Sequence, residues 1–213
     1  LSKRTQVRRL PKKAVNDREV MNQILDAALV AHVAIVDDKQ PYALPVGFAR
    51  DGDRLLLHGS AASRLFKKLA DGKPCCATIT IMDGLVMARS AFESSMHYRC
   101  VMVLGEAVEL HGDEKVAAFD LLVKAFMPGR ELEVRKSTKK ELKATTLVAL
   151  SLDEASVKVS NFEPGDLPED MDSPLWAGII PIQHTFGTPR DAADLKPGIP
   201  VPGYIAEWTN GRT

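Results

Sequence analysis

Residues 57–72 read LHGSAASRLFKKLADG. An apolar run ending in Leu55, Leu56 and Leu57 enters His58 and Gly59, crosses Ser60, Ala61, Ala62 and Ser63, and becomes a short basic helix. Leu65, Phe66 and Leu69 recur at helical spacing and mark its inward face. The stretch is therefore strand, small-residue turn, helix. Small residues let a ligand approach the backbone. A helix start presents free N–H groups, and Arg64, Lys67 and Lys68 add cations one turn on, which suits a phosphate. The same residues also read as an ordinary capped helix with a solvated basic face.

Working outward, the neighbouring segments are short and rich in β signals. Residues 50–53, Arg-Asp-Gly-Asp, are a hairpin turn between apolar runs at 42–49 and 54–58. Pro45 and Gly47 interrupt the first of these runs. Another run covers 32–36. Ahead of it, Asn16 caps a helix with Glu19 reaching back, continuing to about residue 29. Downstream, 75–82 is strongly β, Asp83-Gly84 breaks it, and 85–88 resumes. Residues 98–110 form a long strand with a bulge or bend at Gly105. An amphipathic helix spans 116–126 and stops at Pro128-Gly129. A short helix covers 139–144, and strands follow at 146–152, 157–160 and 176–182. Residues 161–173 are an acidic loop. The tail from 185 is rich in Pro and Gly and wraps the surface.

This pattern gives a mainly β fold with peripheral helices. Six to eight mostly antiparallel strands close into a barrel or partly open barrel. The organisation is an N-terminal arm (1–15), one barrel domain (16–184) and a C-terminal tail (185–213).

The totals limit what such a domain does. Of 213 residues, 45% are hydrophobic, enough for a core. Lys plus Arg and Asp plus Glu are 28 each, so bulk charge points to neither nucleic acid nor an anionic membrane. The opening LSKRTQVRRLPKK is basic and reads as a solvated arm. Cys75, Cys76 and Cys100 suit a reduced, cytoplasmic protein. Cys75 and Cys76 point to opposite faces of a strand. No Cys/His spacing suggests a metal site, and no apolar run reaches the ~18 residues of a membrane span. No G-x-G-x-x-G, P-loop or G-x-S-x-G pattern occurs.

The order of elements resembles the pyridoxamine 5′-phosphate oxidase-like superfamily of flavin-binding split β-barrels, and within it the flavin-nucleotide-binding branch related to nitroimidazole-resistance proteins. The residues carrying the likeness are Arg9-Leu-Pro11, 41–49, His58-Gly-Ser-Ala-Ala-Ser-Arg64, 83–92, His97-Tyr-Arg-Cys-Val101 with Gly105, 141–146, 154–158, and Trp176-Ala-Gly178 with Pro181. They cover most of residues 8–182.

The resemblance implies a homodimer binding FMN, in preference to FAD, with the flavin site at the dimer interface. Its phosphate falls on His58, Gly59, Ser60, Ser63 and Arg64, helped by Lys67, with Arg64 supplying the planar fork that matches phosphate. Val46 and Gly47 offer backbone groups to the ring edge. Tyr98, Arg99, Cys100 and Val101 approach from the partner, and Trp176 lines the pocket. Phe92, His97, Tyr98 and Trp176 are the candidates to face a small-molecule substrate, and no catalytic residue is assigned. True pyridoxine-phosphate oxidases carry an Arg-x-His that grips substrate, where this chain reads Ile180-Pro-Ile-Gln-His184. They carry a Lys where it has Ala49. The implied function is a flavin-dependent oxidoreductase acting on a small organic molecule other than that vitamer. The alternative is a non-catalytic flavin or haem binder.

Overall fold

The structure, a computed structural model, describes residues 2–210. Ten strands form one antiparallel system: β1 (Ala14–Val15), β2 (Val30–Asp37), β3 (Gln40–Asp51), β4 (Arg54–Ser60), β5 (Pro74–Met87), β6 (Ser95–Glu106), β7 (Val108–Glu109), β8 (Thr145–Ser151), β9 (Ala155–Ser160) and β10 (Gly178–Pro181). Their order is β1-β9-β6-β5-β2-β3-β4-β8-β7, with β10 on the far end of β5. The helices are α1 (Arg18–Ala27), α2 (Arg64–Ala70), α3 (Gly112–Phe126), α4 (Lys139–Ala144) and α5 (Gly203–Asn210). This is the expected mainly β split barrel with peripheral helices.

Two apolar layers explain the sequence pattern. Ala31, Val33 and Ile35 of β2 alternate into the barrel with Val46, Phe48, Leu55, Leu57, Ile79, Val101 and Val103. A second layer lies under α3, where Leu56, Ala49, Leu147 and Ala149 meet Leu110, Ala118 and Leu122. The unbroken Leu55-Leu56-Leu57 run follows from this. Leu55 and Leu57 face the barrel, Leu56 faces α3, and all three are fully buried. Burying each such side chain contributes roughly 1.5–3 kcal/mol.

The outer face of β2 differs. Val30, His32, Ala34 and Val36 point away from the core, and Val30 and Val36 stay exposed. Their neighbours by register are Pro45 and Thr78 beside His32, and Ala43 and Cys76 beside Ala34. The face runs on through Met102 and Cys100 of β6.

Several boundaries differ from the sequence expectation. Asp17, not Asn16, caps α1, its carboxylate accepting from the Glu19 N–H at 2.8 Å. Asp83-Gly84 does not end β5; it makes a bulge, with Gly84 packed under the Ile180 carbonyl. The strand expected over 98–110 starts at Ser95, stops at Glu106 and resumes as β7 against β8, so the chain turns a barrel corner at buried Ala107. Gly105 sits just before that corner, where a Cβ would lie 3.0 Å from Leu150. The last strand is shorter than expected. The tail carries α5, held where Tyr204 packs over Gly129 and its hydroxyl donates to Glu133 at 2.7 Å. Two-residue strands such as β1 and β7 are too short to leave a period in sequence.

Candidate functional site

The ladders around β3 create an opening. Residues 40–47 of β3 pair with β2, but pairing with β4 begins only at Phe48–Leu57. Beyond that point β4 continues along β8 to Ser60–Thr145. The β4-facing edge of residues 40–47 is therefore free, and the small-residue turn lies across the gap. Pro41 and Pro45 suit a free edge because they need no ladder donor. Tyr42 and Leu44, on the core-facing side, are partly exposed there for lack of a covering strand.

The turn is held by the Ser63 N–H donating to the Ser60 carbonyl at 2.9 Å and the Ala62 N–H donating to Ser60 Oγ at 3.2 Å. The Ala61 N–H donates to Ala144 O at 2.9 Å, tying it to α4. Ser63 begins α2 with its hydroxyl making no cap bond. The Arg64 guanidinium stacks 4.7 Å over Tyr42, with its Nε 3.5 Å from Asp37. Lys68 reaches the other Asp37 oxygen at 2.8 Å. That hydrogen bond, with the charge of Arg64 beside it, lowers the Asp37 pKa. Lys67 is exposed.

Two glycines have packing roles here. A Cβ on Gly59 would lie 2.2 Å from Phe66, and one on Gly47 would lie 2.8 Å from Phe126. Val46 turns its side chain into the core and pairs with Ala31 of β2.

His58 faces α3, with its ring edge-on to Phe119 at 6.0 Å. Its Nδ1 is buried with no partner among the described residues. Burial pushes its pKa down, so the ring is neutral near pH 7.

The β6 candidates lie elsewhere, since β5 and β2 separate β6 from β3. Tyr98 and Cys100 are on the outer face, and Thr80 donates to the Cys100 sulfur at 3.4 Å. Arg99 is taken up by a two-pronged pair with Asp83 at 2.9 and 2.7 Å. The Val101 side chain is wholly in the core. Trp176 packs on Gly178 and is 66% exposed, and Phe92 is 91% exposed. His97 Nε2 lies 2.9 Å from the Phe162 carbonyl. The turn and the β3 edge thus form one group, and the β6 candidates lie apart from it. Tyr42 and Asp37 around Arg64, and Phe119 beside His58, were not singled out from sequence. Only the fold brings them there.

Among the described residues, no cluster of three His, Cys, Asp or Glu side chains could hold a metal ion, and no helix is long and apolar enough to cross a membrane.

Comparison with known proteins extends the picture. The family model described as pyridoxamine 5′-phosphate oxidase matches residues 17–159. No curated protein matches the chain. Among solved structures, the FAD and haem binding protein of Mycobacterium smegmatis is 40% identical, with a TM-score of 0.90 over 92% of this chain and 97% of that one. The flavocytochrome Anf3 of Azotobacter vinelandii is 38% identical, with a TM-score of 0.91 over 97% and 96%. A Bacteroides thetaiotaomicron protein named for 5-nitroimidazole antibiotic resistance shares the fold at 20% identity, with a TM-score of 0.58 over 68% and 86%.

Proposed function

The chain belongs to the pyridoxamine 5′-phosphate oxidase family, and from that premise we propose that it is a dimeric flavin- and haem-binding redox protein. The observation that carries the reading is His58. It is a half-buried, neutral imidazole whose buried Nδ1 has no partner among the described residues, in a chain similar over nearly its full length to an FAD and haem binding protein. Neutral imidazole is a common axial ligand of haem iron. The flavin is FAD rather than the FMN expected from sequence, on the strength of the same relative.

The residues fit both groups. The free edge of β3 would offer the Gly47 N–H and the Pro45 and Gly47 carbonyls to the polar edge of a flavin ring. Ser63 and Arg64 face the same opening and suit its phosphate. Tyr42 and Asp37 hold Arg64 in place before any ligand arrives. His58 would hold the haem iron from the α3 side. Held there, the flavin would supply two-electron and the haem one-electron redox chemistry, which suits an oxidoreductase acting on a small molecule.

Pyridoxine-phosphate oxidation is not proposed. Ala49, where those oxidases have Lys, is 3% exposed beneath α3. His184 is occupied by the Met82 carbonyl at 3.1 Å.

A second copy of the chain on the outer face of β2, β5 and β6 would cover its uncharged surface and bring Tyr98 and Cys100 toward the partner's β3 edge. Closed two-fold dimers are the common solution for such a face.

The test is the visible spectrum of protein purified with both cofactors supplied. Flavin bands near roughly 370 and 450 nm together with a Soret band are expected. His58→Gln should remove the Soret band and leave the flavin. Retention of haem by His58→Gln would overturn the assignment, and a colourless wild type would overturn the whole reading.

A further inference from the structure

The N-terminal arm reads as solvated from sequence, yet the structure lays it on the sheet. β1 pairs with β9, placing Ala14 beside Lys158, which in turn lies beside Cys100. Thr5 is buried, and Ser2 hydrogen-bonds Glu154. Leu10 takes a left-handed backbone (φ 54°), uncommon for a non-glycine residue, and Pro11 opens a tight turn closed by the Lys13 N–H donating to Leu10 O at 2.9 Å. That turn delivers two cations onto two rings. The Lys12 ammonium lies 4.9 Å over Phe162, and the Lys13 ammonium 5.6 Å over Tyr98.

No carboxylate pairs with Lys12, Lys13 or Lys158, or with Arg8 and Arg9 just ahead of them, among the described residues. Unpaired lysines are common on this chain; what sets Lys12 and Lys13 apart is that one tight turn lays both over aromatic rings. A cluster of ammonium groups matches a diphosphate, and flanking aromatic rings match a purine base.

We propose that this strip binds an adenosine diphosphate moiety. Lys12, Lys13 and Lys158 hold the phosphate next to the adenosine, which FMN lacks, and Phe162 or Tyr98 lies against the base. Two ligands bring that moiety to a flavoprotein: FAD, whose adenylate half is what FMN lacks, and a reduced nicotinamide dinucleotide acting as donor. The inference rests on the flavin reading for its biological ligand, but not for the binding itself.

The experiment titrates ADP into FMN-loaded and FAD-loaded protein, alongside Lys12→Glu/Lys13→Glu and the milder Lys12→Met/Lys13→Met. FMN-loaded wild type should bind ADP. The variants should lose ADP at least tenfold while FMN affinity moves less than twofold. If FAD loading blocks ADP and the variants lose FAD but not FMN, the strip holds the adenylate of FAD. If FAD-loaded protein still binds ADP and the variants raise the KM for reduced nicotinamide dinucleotide instead, the strip holds the donor. Wild-type protein that ignores ADP, or variants that lose FMN and FAD alike, would overturn the proposal. A wild type that binds no flavin refutes the function above, and ADP titration of that apo-protein still decides the strip.

Discussion

Phe66 lies so close over Gly59 that a Cβ on the glycine would sit 2.2 Å from its ring. The glycine that looked from sequence like a port for a ligand is the floor on which α2 rests. Gly59→Ala must push Phe66 out of the core or shift the turn that begins at Ser60. Overpacking of this kind costs roughly 1–3 kcal/mol. Urea denaturation should show a lowered midpoint with an unchanged slope. An unchanged midpoint would mean that Phe66 has room to move aside.

Arg64 is expected to be the main phosphate contact of the flavin. Arg64→Ala should weaken FMN and FAD retention about tenfold or more, since a charge-assisted contact is worth ~1.5–3 kcal/mol. Riboflavin, which has no phosphate, is the control and should bind both proteins equally. Equal loss of riboflavin would assign Arg64 to the shape of the opening, through its stacking on Tyr42.

What could be read from sequence divides along physical lines. The barrel was legible because many short apolar runs joined by hairpin-length turns pack that way, while the sides that Leu55, Leu56 and Leu57 face emerged only with the covering helix α3. The turn 58–64 was legible as a turn. The role of Gly59 was not, since nothing local says that Phe66, seven residues on, returns over it. The free edge of β3 also escaped, because an unpaired edge depends on where β4 leaves its neighbour. The arm's pairing with the sheet escaped for a related reason, although most of its cations are solvated as expected. Its cations have an address only once β1 meets β9, more than 140 residues away in the chain.

His58 carries a pH dependence with a definite sign. Burial holds its folded pKa below the ordinary imidazole value of about 6.5. As pH falls past that value, the unfolded chain takes up a proton that the folded chain does not. The contribution to stability is fully present above about pH 6.5 and is lost as pH falls through the lower folded value. Apo-protein with His58→Gln should therefore lose less stability than wild type between pH 7.5 and 5.5, in paired urea titrations. Parallel losses would show that the ring gains water or a partner in solution.

Two of the three cysteines report on the outer face of the sheet, with core-facing Cys75 as the control. Burial, with Cys76 alongside, raises the Cys75 thiol to about 11, so at pH 8 only about one part in a thousand is thiolate. Cys75 should resist thiol reagents in any native form. Cys76 and Cys100 are half-buried on the opposite, outer face, and their reactivity depends on what covers it. In the proposed dimer a second copy lies there, and both should label slowly at concentrations where sedimentation shows a dimer. Ala34→Arg places a charge among Ala43, Cys76 and Val36 without touching the core side of β2. It should give a folded monomer in which Cys76 and Cys100 label quickly while Cys75 stays protected. If Ala34→Arg remains a dimer with unchanged labelling, the two copies meet on another surface, and Tyr98 and Cys100 then have no route to the partner's flavin.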